Sequence, residues 1–265
     1  MNIHSFLGLE PTADPLSWRF KIVPQLCSFQ GNLFGGVGLG AALEALEAVT
    51  GRPVLWATAQ YLSFGKLHQV VELDVTIAVA GHNTTQARVR ASVDGEELLT
   101  VNAALGRRNT PGEGSFAEMP IVAPPEACPP RVFRLSVGDT INEHLDMRMA
   151  VGRAWEDLDG TPSPQGRSSL WARLPALDRV TAGSLGVLGD FVPYGIGQAL
   201  GEKAGGSSLD NTIRIVRLVP TEWVLLDIRV QAIHGGFGHG LIHLWSESGV
   251  LMGTASQSVV LRYRG

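Results

Sequence analysis

Two hydrophobic rhythms alternate along the chain. Residues 33–46, LFGGVGLGAALEAL, are small and apolar with scarcely a polar position, which predicts a buried helix entered through glycines. Directly after it, VLWATAQYLSF at 54–64 and VVELDVTIAVA at 70–80 change to a two-residue period, the mark of strands with one buried face. The same order then returns. SLGVLGDFVPYGIGQALG at 184–201 reads as a second buried helix, with SSLDNTIRIVRL at 207–218 and WVLLDIRVQAI at 223–233 as its strands.

Laying Asp74 on Asp227 gives an offset of 153, which also lays Leu251 on Leu98 and Gly189 on Gly36, with a one-residue slip at the hairpins near Gly95 and Gly249. One unit is therefore repeated. The Pro- and Gly-rich stretch 109–130 between the copies reads as a linker, so the expected organisation is 1–108, linker 109–130, and 131–265. The second copy opens with RVFRLSVGD and carries an inserted loop, EDLDGTPSPQGRS, at 156–168. One buried helix followed by several strands on short turns predicts an α+β fold, an antiparallel sheet curled around a central helix, with two edges able to pair into one continuous sheet.

A net charge of -4 without clustered Lys or Arg speaks against nucleic acid and anionic membranes as partners. The start, MNIHSFLGLEPTADP, has neither a basic segment nor a long apolar core, so a cytoplasmic protein is expected. Cys27 and Cys128 are too few for a disulfide framework and form no CxxC pair.

Ser207, Ser208, Asp210 and Asn211 sit at the start of an apolar alternation, where each needs a hydrogen-bond partner if buried. They read either as a polar turn or as the rim of an active site. Other chemistry is weakly supported. Gly36 to Ala41 fits GxGxxA, yet no clear strand precedes it and no acidic residue closes a second strand. His234, His239 and His243 lack a convincing third ligand, since the HGGFGH hairpin separates the first from the others. No GxSxG pentapeptide occurs.

The segments NLFGGVGLGAALEAL, ATAQYLSFG, GHNTTQARVRA, SSLDNTIRIVR and LMGTASQSVVLR, in this order, resemble the acyl-CoA thioesterase II (TesB-like) family. The resemblance spans both copies and leaves out the linker and the 156–168 insertion. It implies a double hotdog, two antiparallel sheets each wrapped around a central helix. The implied reaction is hydrolysis of a fatty acyl-CoA to free acid and CoA, without metal or organic cofactor, by a homodimer. The implied holders of the attacking water are Asp190 in LGDFVP, Ser208 in SSLDN and Gln257 in TASQSV, Ser standing where the family has Thr or Ser. Phe191-Val192-Pro193 departs from the family's polar continuation.

The chemistry suits those residues. A thiolate is a good leaving group, so the reaction needs mainly a positioned water and a stabilised oxyanion. Asp190 is a candidate general base, and Ser208 and Gln257 are neutral groups able to fix the water. Gly35 and Gly36, at the helix entry, are candidate substrate contacts through backbone N–H groups, and they equally let a helix pack tightly on a sheet. Asp210 and Asn211 are further candidates at the substrate rim, fixing the Ser208 loop or simply making its turn. Subtracting 153 from the three catalytic candidates gives Val37, Leu55 and Ala104, all apolar, so one specialised site per chain is expected. A hotdog dehydratase would need a His at the helix or the SSLDN strand, where none lies. The alternative from another class is a noncatalytic acyl-CoA- or acyl-chain-binding protein of the same fold.

Overall fold

The computed structural model describes residues 1–132 and 138–263. The RVFRLSVGD opening of the second copy therefore lies partly outside the described residues. The first copy runs α1 (Ile3–Leu7), β1 (Glu10–Pro11), β2 (Ser17–Lys21), α2 (Gly35–Thr50), β3 (Val54–Tyr61), β4 (Val70–Ala80), β5 (Thr84–Val93) and β6 (Glu96–Gly106). The second runs α3 (Ile141–His144), β7 (Asp146–Val151), β8 (Arg167–Arg173), α4 (Ala182–Leu188), α5 (Val192–Leu200), β9 (Ala204–Ser208), β10 (Asp210–Ile215), β11 (Val224–His234), β12 (Phe237–Ser246) and β13 (Leu251–Tyr263).

All strands join one antiparallel sheet in the order β1-β2-β4-β5-β6-β3-β10-β13-β12-β11-β8-β7, with β9 added against β13. The two expected sheets are thus fused edge to edge through β3 and β10. At that seam Thr58 faces Thr212, and their hydroxyls meet at 2.7 Å. Pairing the two edges satisfies backbone groups that would otherwise template aggregation.

Strand register corrects the offset between the copies. Thr58 pairs with Asn102 as Thr212 pairs with Ser256, so on these strands the equivalents lie 154 apart rather than 153. Ser208 then answers Val54, and Gln257 answers Ala103, in place of Leu55 and Ala104. Both corrected equivalents are apolar and buried, so the asymmetry between the copies stands.

Helix α2 is buried from Gly36 to Leu46, and it packs on β3 to β6 as the apolar-all-round pattern predicts. It crosses α4 so closely that a Cβ on Gly40 would stand 2.6 Å from the Gly183 carbonyl oxygen. The second copy departs from the expectation of one helix, because 184–201 is broken between Leu188 and Val192. Pro193 is the cause: it has no N–H to give the Gly189 carbonyl, four residues back. Two backbone groups are left to find other partners, and both find them in the site.

Candidate active site

At the helix break, Asp190 projects into a space enclosed by both copies. The residue is 6% exposed, and its carboxylate accepts from three donors. The Gly36 N–H reaches Oδ2 at 2.6 Å, while Ser208 Oγ at 3.3 Å and Gln257 Nε2 both donate to Oδ1. The Gly36 bond is also a helix cap. Helix α2 has no capping side chain of its own, and Asp190 supplies the negative charge at its N-terminus from the other copy.

The break orients the amide of Gln257. Val192 N–H, freed at the start of α5, donates to Gln257 Oε1 at 3.0 Å, which turns Nε2 toward Asp190 and toward Ser208 Oγ at 2.9 Å. Every polar atom of this amide is thereby committed, and its O and N are fixed by the network. The second freed group, the Gly189 carbonyl, accepts from Asn211 Nδ2 at 3.4 Å. Asn211 is wholly buried, and Asp210 Oδ1 accepts from the Ser258 N–H at 2.7 Å. These two residues tie β10 to the helix break and to β13.

Burial pushes the Asp190 carboxyl up to about 6, against the opposing pull of the hydrogen bonds from Gln257, Gly36 and Ser208. The group is ionised at neutral pH and still basic enough to take a proton. Oδ1 holds two donors and Oδ2 only one, so the unused acceptor position belongs to Oδ2.

Beside the carboxylate opens a cavity of about 380 Å³. Asp190, Ser208 and Gly35 line it, whereas Gln257, Gly36, Asp210 and Asn211 do not. Of the expected substrate contacts, Gly35 alone faces the cavity; the Gly36 N–H is taken by Asp190, and Asp210 and Asn211 brace the site from behind. The walls are mainly apolar, with Phe34, Phe64, Met149, Phe191 and Tyr194 among them. Phe34 and Phe191 meet across the copies with ring centroids 6.1 Å apart.

Sequence reasoning missed two parts of this wall. One is Tyr61, the last residue of β3, which the first copy contributes to a site read from the second. The other is the segment containing the insertion. Arg153, Trp155 and Leu158 line the cavity, and the loop docks on the last carbonyls of α5 through Gly160 N–H to Gly201 and Ser163 N–H to Ala199, each 2.8 Å. Arg153 clamps it with a 2.6 Å bond to the Thr161 carbonyl and an ion pair to Asp159. The only legible signal was the polar insertion itself. Among the described residues, no three His, Cys, Asp or Glu are grouped to hold a metal ion, and no helix is long and apolar enough to cross a membrane.

The sequence model for the acyl-CoA thioesterase C-terminal domain matches residues 125–261, just over half of the chain. The chain belongs to the acyl-CoA thioesterase family. It is a thioester hydrolase. A protein of Novosphingobium aromaticivorans DSM 12444 assigned as a thioesterase is 31% identical over 97% of this chain and 98% of its own, with a TM-score of 0.85. The likeness to two others is one of fold. A hot dog protein of Alicyclobacillus acidocaldarius shares 18% identity over 97% and 96% of the two chains, with a TM-score of 0.84. Acyl-CoA thioesterase II TesB2 of Mycobacterium marinum shares 19% over 99% of both, with a TM-score of 0.73. No curated protein matches this thioesterase in sequence. Its architecture is that of hotdog proteins, a large antiparallel sheet with few helices.

Proposed function

We propose that this thioesterase hydrolyses fatty acyl-CoA by direct attack of water, with Asp190 as general base. The observation that carries the reading is the buried carboxylate whose Oδ2 keeps an acceptor position beside an apolar cavity. Water donates to Asp190 Oδ2 and to the remaining lone pair of Ser208 Oγ, and its oxygen attacks the thioester carbon. Its proton passes to Asp190 while the carbonyl electron pair moves onto oxygen. That oxyanion meets the Gly35 N–H at the positive end of α2, since the Gly36 N–H is already used. Collapse then expels the CoA thiolate, and the proton on Asp190 returns to sulfur.

Gln257 holds Asp190 and Ser208 in register from behind, and Asn211 and Asp210 hold the helix break that makes this possible. The phenyl rings and Met149 favour an alkyl chain over a polar acyl group. The two copies read as tandem hotdog units, 1–108 and 131–265, each with its helix cradled by its half of the sheet, joined by the 109–130 linker and acting as a homodimer. Each chain then carries one site, built by the second copy and closed by the first. Thiol release from acyl-CoA substrates of graded chain length tests the activity. Absence of release across the whole series would overturn the reading in favour of acyl-CoA binding without turnover.

A further inference from the structure

We propose that Tyr61 is a catalytic residue of this reaction, its hydroxyl donating to the thioester carbonyl oxygen as the second member of the oxyanion hole. The proposal rests on the hydrolytic reading above. It starts from a group that packing leaves unexplained. Tyr61 lines the cavity, and its Oη is buried with no acceptor for its proton in hydrogen-bonding geometry among the described residues, the Asn211 amide beside it acting toward the phenol oxygen only as a donor. A buried donor left unpaired destabilises a fold, and Phe would fill the same space without that penalty.

Its position is the second observation. A Cβ placed on Gly35 would stand 2.8 Å from Asp190 Oδ2 and 3.2 Å from Tyr61 Oη, so base and hydroxyl are at most about 6 Å apart across the Gly35 backbone. A carbonyl carbon between them can receive the water from one side and place its oxygen toward the other. The third is the count of donors. Asp190 has taken the Gly36 N–H, so the end of α2 offers the oxyanion Gly35 alone. Tyr194 also has an unpartnered hydroxyl on the cavity wall, but it lies near Gly152, 3.2 Å from where a Cβ there would stand.

The phenol keeps its proton. Burial, reinforced by the charge of Asp190, holds its pKa well above the ordinary tyrosine range, and the Asn211 amide beside it offsets this only in part. Tyr61 therefore acts as a fixed donor, accepting no proton and releasing none. As the carbonyl oxygen gains charge, this hydrogen bond strengthens, so it contributes more to the transition state than to the bound substrate.

Tyr61→Phe tests the proposal, assayed by thiol release with the best acyl-CoA of a C4 to C16 series and by thermal unfolding. Loss of one oxyanion donor predicts a fall in kcat of about 10²-fold, KM within about threefold, and a Tm unchanged or raised. A fall of tenfold or more with that KM and Tm supports the role. A kcat loss under tenfold, a change confined to KM, or a lowered Tm accompanying the loss would overturn it. Asp190→Asn, run alongside, separates the two readings. If Asp190→Asn is inactive and Tyr61→Phe is not impaired, only the tyrosine proposal falls; if the unaltered chain releases no thiol, both fall together.

Discussion

Gly36 donates its backbone N–H to Asp190 Oδ2 at 2.6 Å, joining two residues 154 positions apart. The first copy has only apolar side chains, Val54 and Ala103, at the positions equivalent to Ser208 and Gln257, yet the end of its helix fixes the carboxylate of the second. A Cβ on Gly36 would stand 2.8 Å from the Val187 carbonyl oxygen and 2.9 Å from Asp190 Cβ. Gly36→Ala should therefore lower stability by about 1–3 kcal/mol through overpacking and lower kcat by about 10²-fold through displacement of the base. Denaturant melts and steady-state kinetics check both, and a stable, fully active variant would refute the coupling.

Removing the base should have the largest effect. Asp190→Asn is expected to lower kcat by about 10²-fold or more, and its amide also sets N–H groups against donors that now point at a carboxylate. Ser208→Ala and Gln257→Ala should each lose less, and their losses should not add, because both residues serve one carboxylate and one water. Val54→Ala and Ala103→Ser, at the apolar equivalents in the first copy, should leave kcat within a few fold. Equal losses in the two sets would mean that the chemistry lies elsewhere.

The pH profile should report Asp190. The active form is the carboxylate, so kcat/KM should rise about tenfold per unit below pH 6 and level off above about pH 7. Gln257→Ala removes a donor that stabilises the charge, which should move this limb to higher pH. Stability runs the other way. With a folded pKa of about 6 above an unfolded value of 3.8, the protonated carboxyl favours the native state, a contribution complete below about pH 4 and lost as pH rises through 6. The span is about 3 kcal/mol, and the stability difference between the unaltered chain and Asp190→Asn, followed over pH 4 to 8, measures it.

The docked loop should govern the acyl chain. Arg153→Ala removes the bonds to Thr161 and Asp159 that hold Trp155 and Leu158 against the cavity. KM for long acyl chains should rise about tenfold while kcat for short ones changes little. An unchanged chain-length profile would show that the loop does not bind the substrate.

Light scattering at micromolar concentration tests the assembly. A mass twice that of the chain is expected, and a stable monomer would overturn the homodimer.

Apolar periodicity by itself determined the buried helix α2, the helical character of 184–201 though not its break, the strands that follow and the repeat, because each depends on local spacing that folding preserves. The family resemblance singled out Asp190, Ser208 and Gln257, and the apolar residues at the equivalent positions of the first copy set them apart as a polar set. Tertiary structure decided which of them line the cavity. Pro193 was visible as a residue, but its consequence was not. A missing N–H breaks the helix, frees Val192 and Gly189, and sends Gln257 and Asn211 behind the carboxylate rather than into the cavity. Tyr61 was likewise illegible as a lining residue of the cavity, since β3 meets β10 only when the two copies join. The same enclosure raises the pKa of Asp190, because the loss of water around a carboxylate is set by everything packed around it and by nothing in its own neighbourhood of sequence.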